Sequence, residues 1–580
     1  MAASYGHNSL GLPGRFDETF FSVKGFEGET GTQADKSGIT VAWGEFIDSG
    51  LMNELHRGFH HSYRSILANC AKNHLFSSWH WRPNDKKLFL LGSRYGAFPL
   101  YFSLIHKRWA NYPNLLGLQL NDAEWNISAA ADLFATSHIL GNETLHTAVE
   151  LIGPNELVAI DWINNSVTRD RLMPTVRGKH PAGHSLDEAS ILIHSATNAL
   201  GADIESLQRT LLPLSGGLDS RLLLAMLLRA GIKPQTYTFG QPQSTDREIA
   251  EDIAKRLGIE HLFIEIKPDD FIKQSRHIST WTGGEASPVD GSIAMPEEFY
   301  RHNQGSITIT GTGSEYGRAP FYDFSWFGKL IAGIDPAQFV GKAFIDAIIT
   351  RRMTGRLRPV WESVFLPEAL TQIITQGETR KNQLWQTLAE APSLSCFLES
   401  LYLEQTVRRF LMPGQQLHGL FLRRCHPFLK ESVLDLFADL PIRWKLGSSF
   451  HRLMITAICP ELSRVVWDKT GKPLTDGLPP LYWWPGCKHR ILPIVNFGDW
   501  LRGPLKDWAH EMLFCRHLPS FLDISGVTNI WDEHLRGNNR TRILGQLISL
   551  SALNQQSDPN CIPLGSLHSN EVYQSSVDTK

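Results

Sequence analysis

Between residues 186 and 310 the apolar positions switch repeatedly between helical spacing and short continuous runs. Leu186–Leu200 predicts a helix, Thr210–Leu214 a strand, and the apolar stretch from Arg221 to Leu228 a long helix. Gln235–Gly240 predicts a second strand, and Asp246–Leu257 an amphipathic helix stopped by Gly258. His261–Ile266 and Ser306–Thr310 predict a third and a fourth strand. Strands alternating with helices predict an α/β fold with a parallel sheet covered on both faces, whose ligands bind beyond the strand C-termini. Pro213 inside the first strand costs a ladder hydrogen bond and predicts a bulge there.

Upstream the texture differs. Residues 36–165 read as strands and turns, with strands at Leu88–Gly92 and Glu156–Asp161 and a helix around Met52–Asn69. Residues 1–35 are rich in Gly, Ser and Thr and predict a loose segment, and the polar stretch from Asn164 to His184 reads as a linker. After Val360 the chain reads as mostly helical; Pro and Trp cluster at Pro479–Pro485, and the end from His568 is polar. The predicted organisation is a domain over 1–175, a second over 185–560, and a disordered tail over 561–580.

The turn after the first strand carries the chemistry. Ser215-Gly216-Gly217-Leu218-Asp219-Ser220 joins strand to helix. Two glycines allow a tight turn with successive amides facing an anion, and the helix points its positive end at the same place. Ser215 and Ser220 add hydroxyl donors. Asp219 would repel a phosphate unless a divalent cation lies between them, which implies Mg2+. The turn is therefore a site for the pyrophosphate part of a nucleotide. It lacks the Lys of a Walker loop.

Composition narrows the classes. At 580 residues the chain has room for two or more domains; 42% hydrophobic and 20% charged residues mark it as globular and soluble. A net charge of −3 with no basic run gives nucleic-acid binding no electrostatic support. Seven scattered cysteines with no C-x-x-C pair read as cytosolic thiols. No signal-length or transmembrane apolar run occurs, so the expected location is the cytoplasm, away from the membrane.

The Ser215–Ser220 motif resembles the loop of the ATP pyrophosphatases, and with further motifs the chain resembles the asparagine synthetase superfamily. Thr310-Gly311-Thr312-Gly313-Ser314-Glu315 with Gly317 is similar to that family's second loop. His426-Pro427-Phe428-Leu429 resembles its PFLD segment, Asp468–Pro473 the segment with its active-site lysine, and Trp500–Leu505 its WLRGPL element. Arg94–Tyr101 and Thr144–Leu157 resemble turns of its glutaminase domain. The resemblance implies a synthetase domain that binds ATP and Mg2+, behind an N-terminal-nucleophile (Ntn) type α+β sandwich. Leu214, Ser215, Gly216, Gly217, Asp219, Ser220, Phe239, Gly311 and Gly313 would bind the nucleotide. Asp219 and Glu315 would hold the metal. Lys469 and Asp219 would serve catalysis.

The departures from the family are as informative. Residues 2 and 3 are Ala2 and Ala3, where a glutaminase needs Cys after its first Met, and the first cysteine is Cys70. The sandwich is thus expected not to release ammonia from glutamine. Thr312 stands where asparagine synthetases carry the Glu that handles ammonia, and Glu315 where they carry an Asp. Together these changes resemble β-lactam synthetases and lasso-peptide macrolactam synthetases. The expected partners are then a leader-cleaved precursor peptide and its leader peptidase. The alternative is an amidotransferase using ammonia or another amine.

Weaker candidates have structural readings beside functional ones. Phe239 at a strand end suits adenine or plain core. Arg408-Arg409 and Arg423-Arg424 suit AMP, pyrophosphate, an acidic substrate or a structural role. Trp281–Glu285 suits a substrate pocket or an ordinary turn. His60-His61 and His510 lack metal-ligand spacing.

Overall fold

The computed structural model describes residues 15–16, 19–22, 29–61, 63–173, 188–204, 207, 210–289, 297–321, 323, 362–376, 379, 391–478, 491–515 and 518–554. The predicted tail and the Pro/Trp cluster at 479–485 lie outside the described residues.

Among the described residues eleven strands precede residue 172: β1 Arg15–Phe16, β2 Thr19–Ser22, β3 Thr30–Asp35, β4 Gly38–Gly44, β5 Phe76–Arg82, β6 Lys87–Leu91, β7 Tyr101–Ser103, β8 Arg108–Ala110, β9 Glu150–Leu151, β10 Glu156–Asp161 and β11 Ser166–Arg171. They form two sheets, ordered β11-β10-β6-β5-β4-β3 and β1-β2-β8-β7-β9. Alternation along the larger sheet decides what each face covers. Val41, Trp43, Trp79, Trp81, Leu88, Leu90 and Val158 share one apolar cluster with Phe102 and Trp109 of the smaller sheet. The Trp79 and Trp109 rings meet edge to face at 5.6 Å. Ala42, Phe76 and Leu91 point the other way, under α1 (Ser49–His60) and α2 (Arg64–Asn73), and α3 (Ile127–Thr136) follows β8.

Two expectations change here. The helix expected around Met52–Asn69 is two helices, broken at His61–Tyr63; α1 starts at the Asp48 cap, whose carboxylate takes the Leu51 amide. The expected linker begins as β11, which pairs antiparallel with β10 from Ser166 to Arg171 and is exposed on its outer edge.

The second half runs α4 Ala189–Ile204, β12 Thr210–Pro213, α5 Leu218–Arg229, β13 Gln235–Gly240, α6 Thr245–Leu257, β14 His261–Glu265, α7 Pro268–Trp281, β15 Ile307–Ile309 and β16 Arg423–Cys425. All strand pairs are parallel, in the order β14-β13-β12-β15-β16. Leu212, Leu214, Ile307 and Ile309 face α4, α5 and α6 in one cluster; Leu211, Tyr237 and Phe239 face α7 and the helix Thr541–Asn554 in another. This is the expected parallel α/β layer. Its fifth strand, β16, holds the Arg423-Arg424 pair, which the sequence does not mark as a strand. At three residues its signal is too short to separate from a loop. The bulge expected at Pro213 is replaced by a shortened ladder. Pairing to β15 ends at Leu211, and Leu214 N–H returns to Tyr237 O at 2.9 Å, so the proline nitrogen faces the side where no bond is due.

Candidate nucleotide site

The strand order sets the place of the site. From β12 the chain moves outward to β13 and β14, then crosses back to β15 and β16 on the other side. The loops after β12 and β15 therefore lie together at the switch point of the sheet. Gly311 permits the contact: a Cβ there would come 2.9 Å from the Cβ of Asp219.

The first loop is tied by its own side chains. Ser215 N–H donates to Ser220 Oγ at 3.2 Å, and the two serine hydroxyls lie 3.1 Å apart. Gly217 N–H donates to Ser215 Oγ at 3.3 Å, and Gly216 N–H to Asp246 Oδ1 at 2.7 Å. The glycine amides expected to face an anion are thus engaged elsewhere, that of Gly217 within the loop and that of Gly216 by Asp246 of α6. Neither glycine is left-handed; Gly217 has φ −76°. Gly216 is needed for close approach instead, since a Cβ would meet Ile249 Cδ1 at 2.8 Å and Asp468 Cβ at 2.9 Å. No side chain caps α5, which leaves its first-turn amides as a group suited to an anion.

Arg221, one turn into α5, is fully buried and holds the loop to a distant segment. Its guanidinium donates to Gly216 O (3.1 Å), Leu462 O (3.3 Å), Val465 O (3.1 Å) and Val466 O (2.9 Å). Burial lowers its pKa to about 10, opposed by Asp468 and Asp252. Val466 opens a hairpin, β17 Val466–Trp467 and β18 Lys472–Pro473, whose turn carries Lys469. Lys469 is exposed, yet partial desolvation and then the Arg318 charge lower its pKa, against Asp219, Asp468 and Glu315. Arg221 thus brings a lysine some 250 residues away in sequence beside the first loop.

The second loop supplies the opposite wall. Gly313 is left-handed at φ 94° and starts the 3-10 turn Ser314–Arg318. Arg318 Nη2 lies 3.0 Å from Asp219 Oδ2 and 3.3 Å from Glu315 Oε1, bridging the two carboxylates. Tyr402 donates its hydroxyl to Glu315 Oε2 at 2.5 Å. His451, fully buried, places Nε2 3.5 Å from Asp219 Oδ1; burial, then the Arg318 and Lys469 charges, hold its pKa well below the usual value, so the ring is neutral.

The residues present fit a divalent cation of the Mg2+ kind. Asp219 Oδ1 is buried and accepts no hydrogen bond, and Glu315 supplies a second hard oxygen donor across the Arg318 guanidinium. Two carboxylates completed by substrate phosphates is a usual Mg2+ ligand set.

Most of the sequence-predicted residues converge: Ser215–Ser220, Asp219, Gly311, Gly313, Glu315 and Lys469. Leu214 is buried behind the loop, and its carbonyl takes the Thr238 hydroxyl. Phe239 lies apart from the charged group, in the cluster with Tyr237, the two rings 6.3 Å apart. The arginine pairs take structural roles. Arg408 and Arg409 bind carbonyls of the sandwich loop 139–152, and Arg424 reaches Ala97 O and lies over Phe98. Glu285 is buried against Arg409 at 3.2 Å, so Trp281–Glu285 follows its turn reading. Arg221, Arg318, Tyr402, His451 and Asp246 were not foreseen as site residues. The one available signal was the unbalanced charge of Asp219 and Glu315, which asks for a nearby cation.

Residues 199–305 match the asparagine synthase family model. The matched span covers β12, the first loop, β13 and β14, and ends before β15. The second loop and Lys469 lie beyond it. Asparagine synthetase [glutamine-hydrolyzing] 1 of Bacillus subtilis (strain 168) is 20% identical over 310 residues, 52% of this chain and 47% of that protein. A 7-cyano-7-deazaguanine synthase of Chromohalobacter salexigens is 37% identical over 97 residues, 16% of this chain and 35% of that protein. The chain thus spans about half the length of the first relative and about a third of the second. Among the described residues no helix is long and apolar enough to cross a membrane.

Proposed function

We propose that the chain forms amide bonds with ATP through an acyl-adenylate. The observation that carries this is the convergence of the Ser215–Ser220 loop, the Asp219–Glu315 pair and Lys469 at the switch point of the parallel sheet, with the loop inside the asparagine synthase match. In this reading the α5 amides and the serine hydroxyls take the pyrophosphate part of ATP. A divalent cation held by Asp219 and Glu315 supplies neutralising charge at the phosphates. A substrate carboxylate oxygen attacks the α-phosphorus; the bond from that phosphorus to the bridging oxygen breaks, and pyrophosphate leaves with the electron pair. An amine then attacks the acyl carbon, the bond to the AMP oxygen breaks, and the nitrogen loses a proton. Lys469 stabilises the negative charge of that second step.

The finer reading is lactam closure within one substrate, with macrolactam formation in a leader-cleaved lasso peptide as its leading form. Thr312 supports it, being small and neutral where the ammonia-handling acid would stand. An N-terminal amine has a pKa of about 7.7–8.0 and needs little help from a base at neutral pH. A pre-folded peptide gains effective molarity over a free amine. The two-sheet sandwich under helices supports an Ntn-type scaffold. Its Cys70 is unsuited to nucleophilic work, since burial and then Glu54 push the thiol up to about 12. The named similarity to an asparagine synthetase favours a second reading, an amidotransferase using ammonia or another amine. Mass spectrometry of the product separates the two. Loss of one water from a single peptide supports the lactam, and incorporation of [15N]ammonia supports the second reading.

A further inference from the structure

We infer that the π-helical segment Tyr402–Leu411 is the lever through which the sandwich sets the position of Glu315, with Tyr402 as the positioning residue. The inference rests on Glu315 being part of the nucleotide site. π-Helical turns are rare and recur at functional sites, because their looser register is kept only where side-chain contacts favour it over the α-helix. Here the segment continues the α-helix Leu394–Leu401 and passes into Met412–His418.

Its far half is locked to the sandwich. Arg408 donates to Gly141 O at 3.2 Å, Asn142 Oδ1 at 2.7 Å and Ile152 O at 3.0 Å. Arg409 donates to Ile139 O at 3.0 Å and Glu143 O at 2.7 Å. Gln405 Oε1 takes the Gly141 amide at 3.2 Å, and Glu404 meets Arg171 of β11 at 3.5 Å. Both arginines are buried, so these bonds are shielded from water and fix the roll of the segment. Its near end is Tyr402, 4% exposed, whose hydroxyl holds Glu315. The phenol O–H donates and the carboxylate accepts, so the contact fixes one oxygen of Glu315. A second tether holds the next residue of the same turn: Lys445 binds Glu399 at 2.7 Å and lies 5.4 Å from the Tyr316 ring centre. Asp219 is placed by the sheet and α5. Glu315 sits on a short 3-10 turn, and its placement passes through Tyr402 to the sandwich. This gives the sandwich a task without glutamine chemistry.

The test uses the full-length protein, Mn2+ as the probe ion and α,β-methylene-ATP as a nucleotide that resists cleavage. Mn2+ affinity is read by electron paramagnetic resonance, beside thermal midpoints. Tyr402→Phe removes one hydroxyl donor, and Asn142→Ala removes an acceptor of Arg408 on the sandwich. We expect the Mn2+ dissociation constant to rise about tenfold in Tyr402→Phe, the loss of one charge-assisted hydrogen bond. In Asn142→Ala we expect about threefold by the same conversion, with thermal midpoints near wild type. Lowered midpoints with unchanged Mn2+ affinity would show a merely structural role and overturn the inference. So would an effect of Tyr402→Phe with none of Asn142→Ala. If wild type binds no Mn2+ with the nucleotide, the nucleotide site itself falls and the inference with it.

Discussion

Replacing Arg221 by Met tests whether the first loop and the Lys469 hairpin act as one unit. The guanidinium makes four hydrogen bonds to main-chain carbonyls and is fully buried. Bonds from a charged donor contribute about 1.5 kcal/mol each at the low end, so the four together contribute about 6 kcal/mol. Against this stands the cost of burying the charge. A pKa lowered from 12.5 to about 10 corresponds to about 3 kcal/mol. Methionine restores the volume but none of the donors, so the net loss is about 3 kcal/mol, a large part of a domain's usual margin. The local effect is greater, because Gly216, Val465 and Val466 lose their common partner and the hairpin is released from the loop. Urea unfolding measures the first quantity and amide-product formation the second. Product formation should fall about a hundredfold or more, as expected when a preorganised cation leaves a site. A stability change under about 1 kcal/mol with activity near wild type would refute the reasoning.

Three further outcomes follow from the same geometry. Asp219→Ala should abolish AMP formation while circular dichroism and the thermal midpoint stay near wild type, since Arg318 keeps Glu315 as its partner when Asp219 is lost; retained activity would remove Asp219 from the chemistry. Lys469→Met should cut product formation about a hundredfold with milder loss of ATP binding, whereas exposed Lys472→Met should leave it unchanged, and the reverse pattern would reassign the lysine. Stability should fall as pH drops from about 6.5 toward 4, because burial lowers the pKa values of His80 to about 3, His138 to about 4 and His418 to about 4. The unfolded chain binds protons there that the folded one refuses, about 1.4 kcal/mol per pH unit for each ring. Carboxylates whose pKa values burial raises oppose this: Asp246, Glu285, Glu404, Asp468 and, with the largest shift among them, Glu29. Its pKa, raised by burial to about 7, gives stability that is full below 4.5 and lost as pH rises through 7. Thermal midpoints that hold steady between pH 6.5 and 4.5 would contradict the histidine account.

The sheet was legible because each strand of the synthetase half is a short apolar run beside a helix with clear period and caps. Gln235–Gly240 forms a strand over the predicted residues, and Gly258 is left-handed at φ 60° as a helix stop should be. The chemistry was legible where it is local: Ser215–Ser220 is contiguous, and Asp219 and Glu315 each sit in a glycine-rich loop. What stayed hidden is long-range. Arg221 looked like one polar residue at the start of an apolar helix, and only the fold shows which carbonyls converge on it. Tyr402 carries no motif; its meaning comes from facing Glu315 across 87 positions of chain. The double glycine predicts a tight turn, but neither glycine is left-handed, and close packing against Asp468 and Ile249 constrains Gly216 alone. Arg408 and Arg409 invited a phosphate reading, but their partners are carbonyls of another sheet system.

The most direct measurement is the identity of the nucleotide released when purified protein turns over ATP with its amide-forming substrate, followed by 31P NMR beside the Asp219→Ala variant. The account predicts AMP and pyrophosphate in equal amounts, one of each per amide formed, and neither from the variant. ADP and inorganic phosphate as the products, or undiminished AMP from Asp219→Ala, would contradict it.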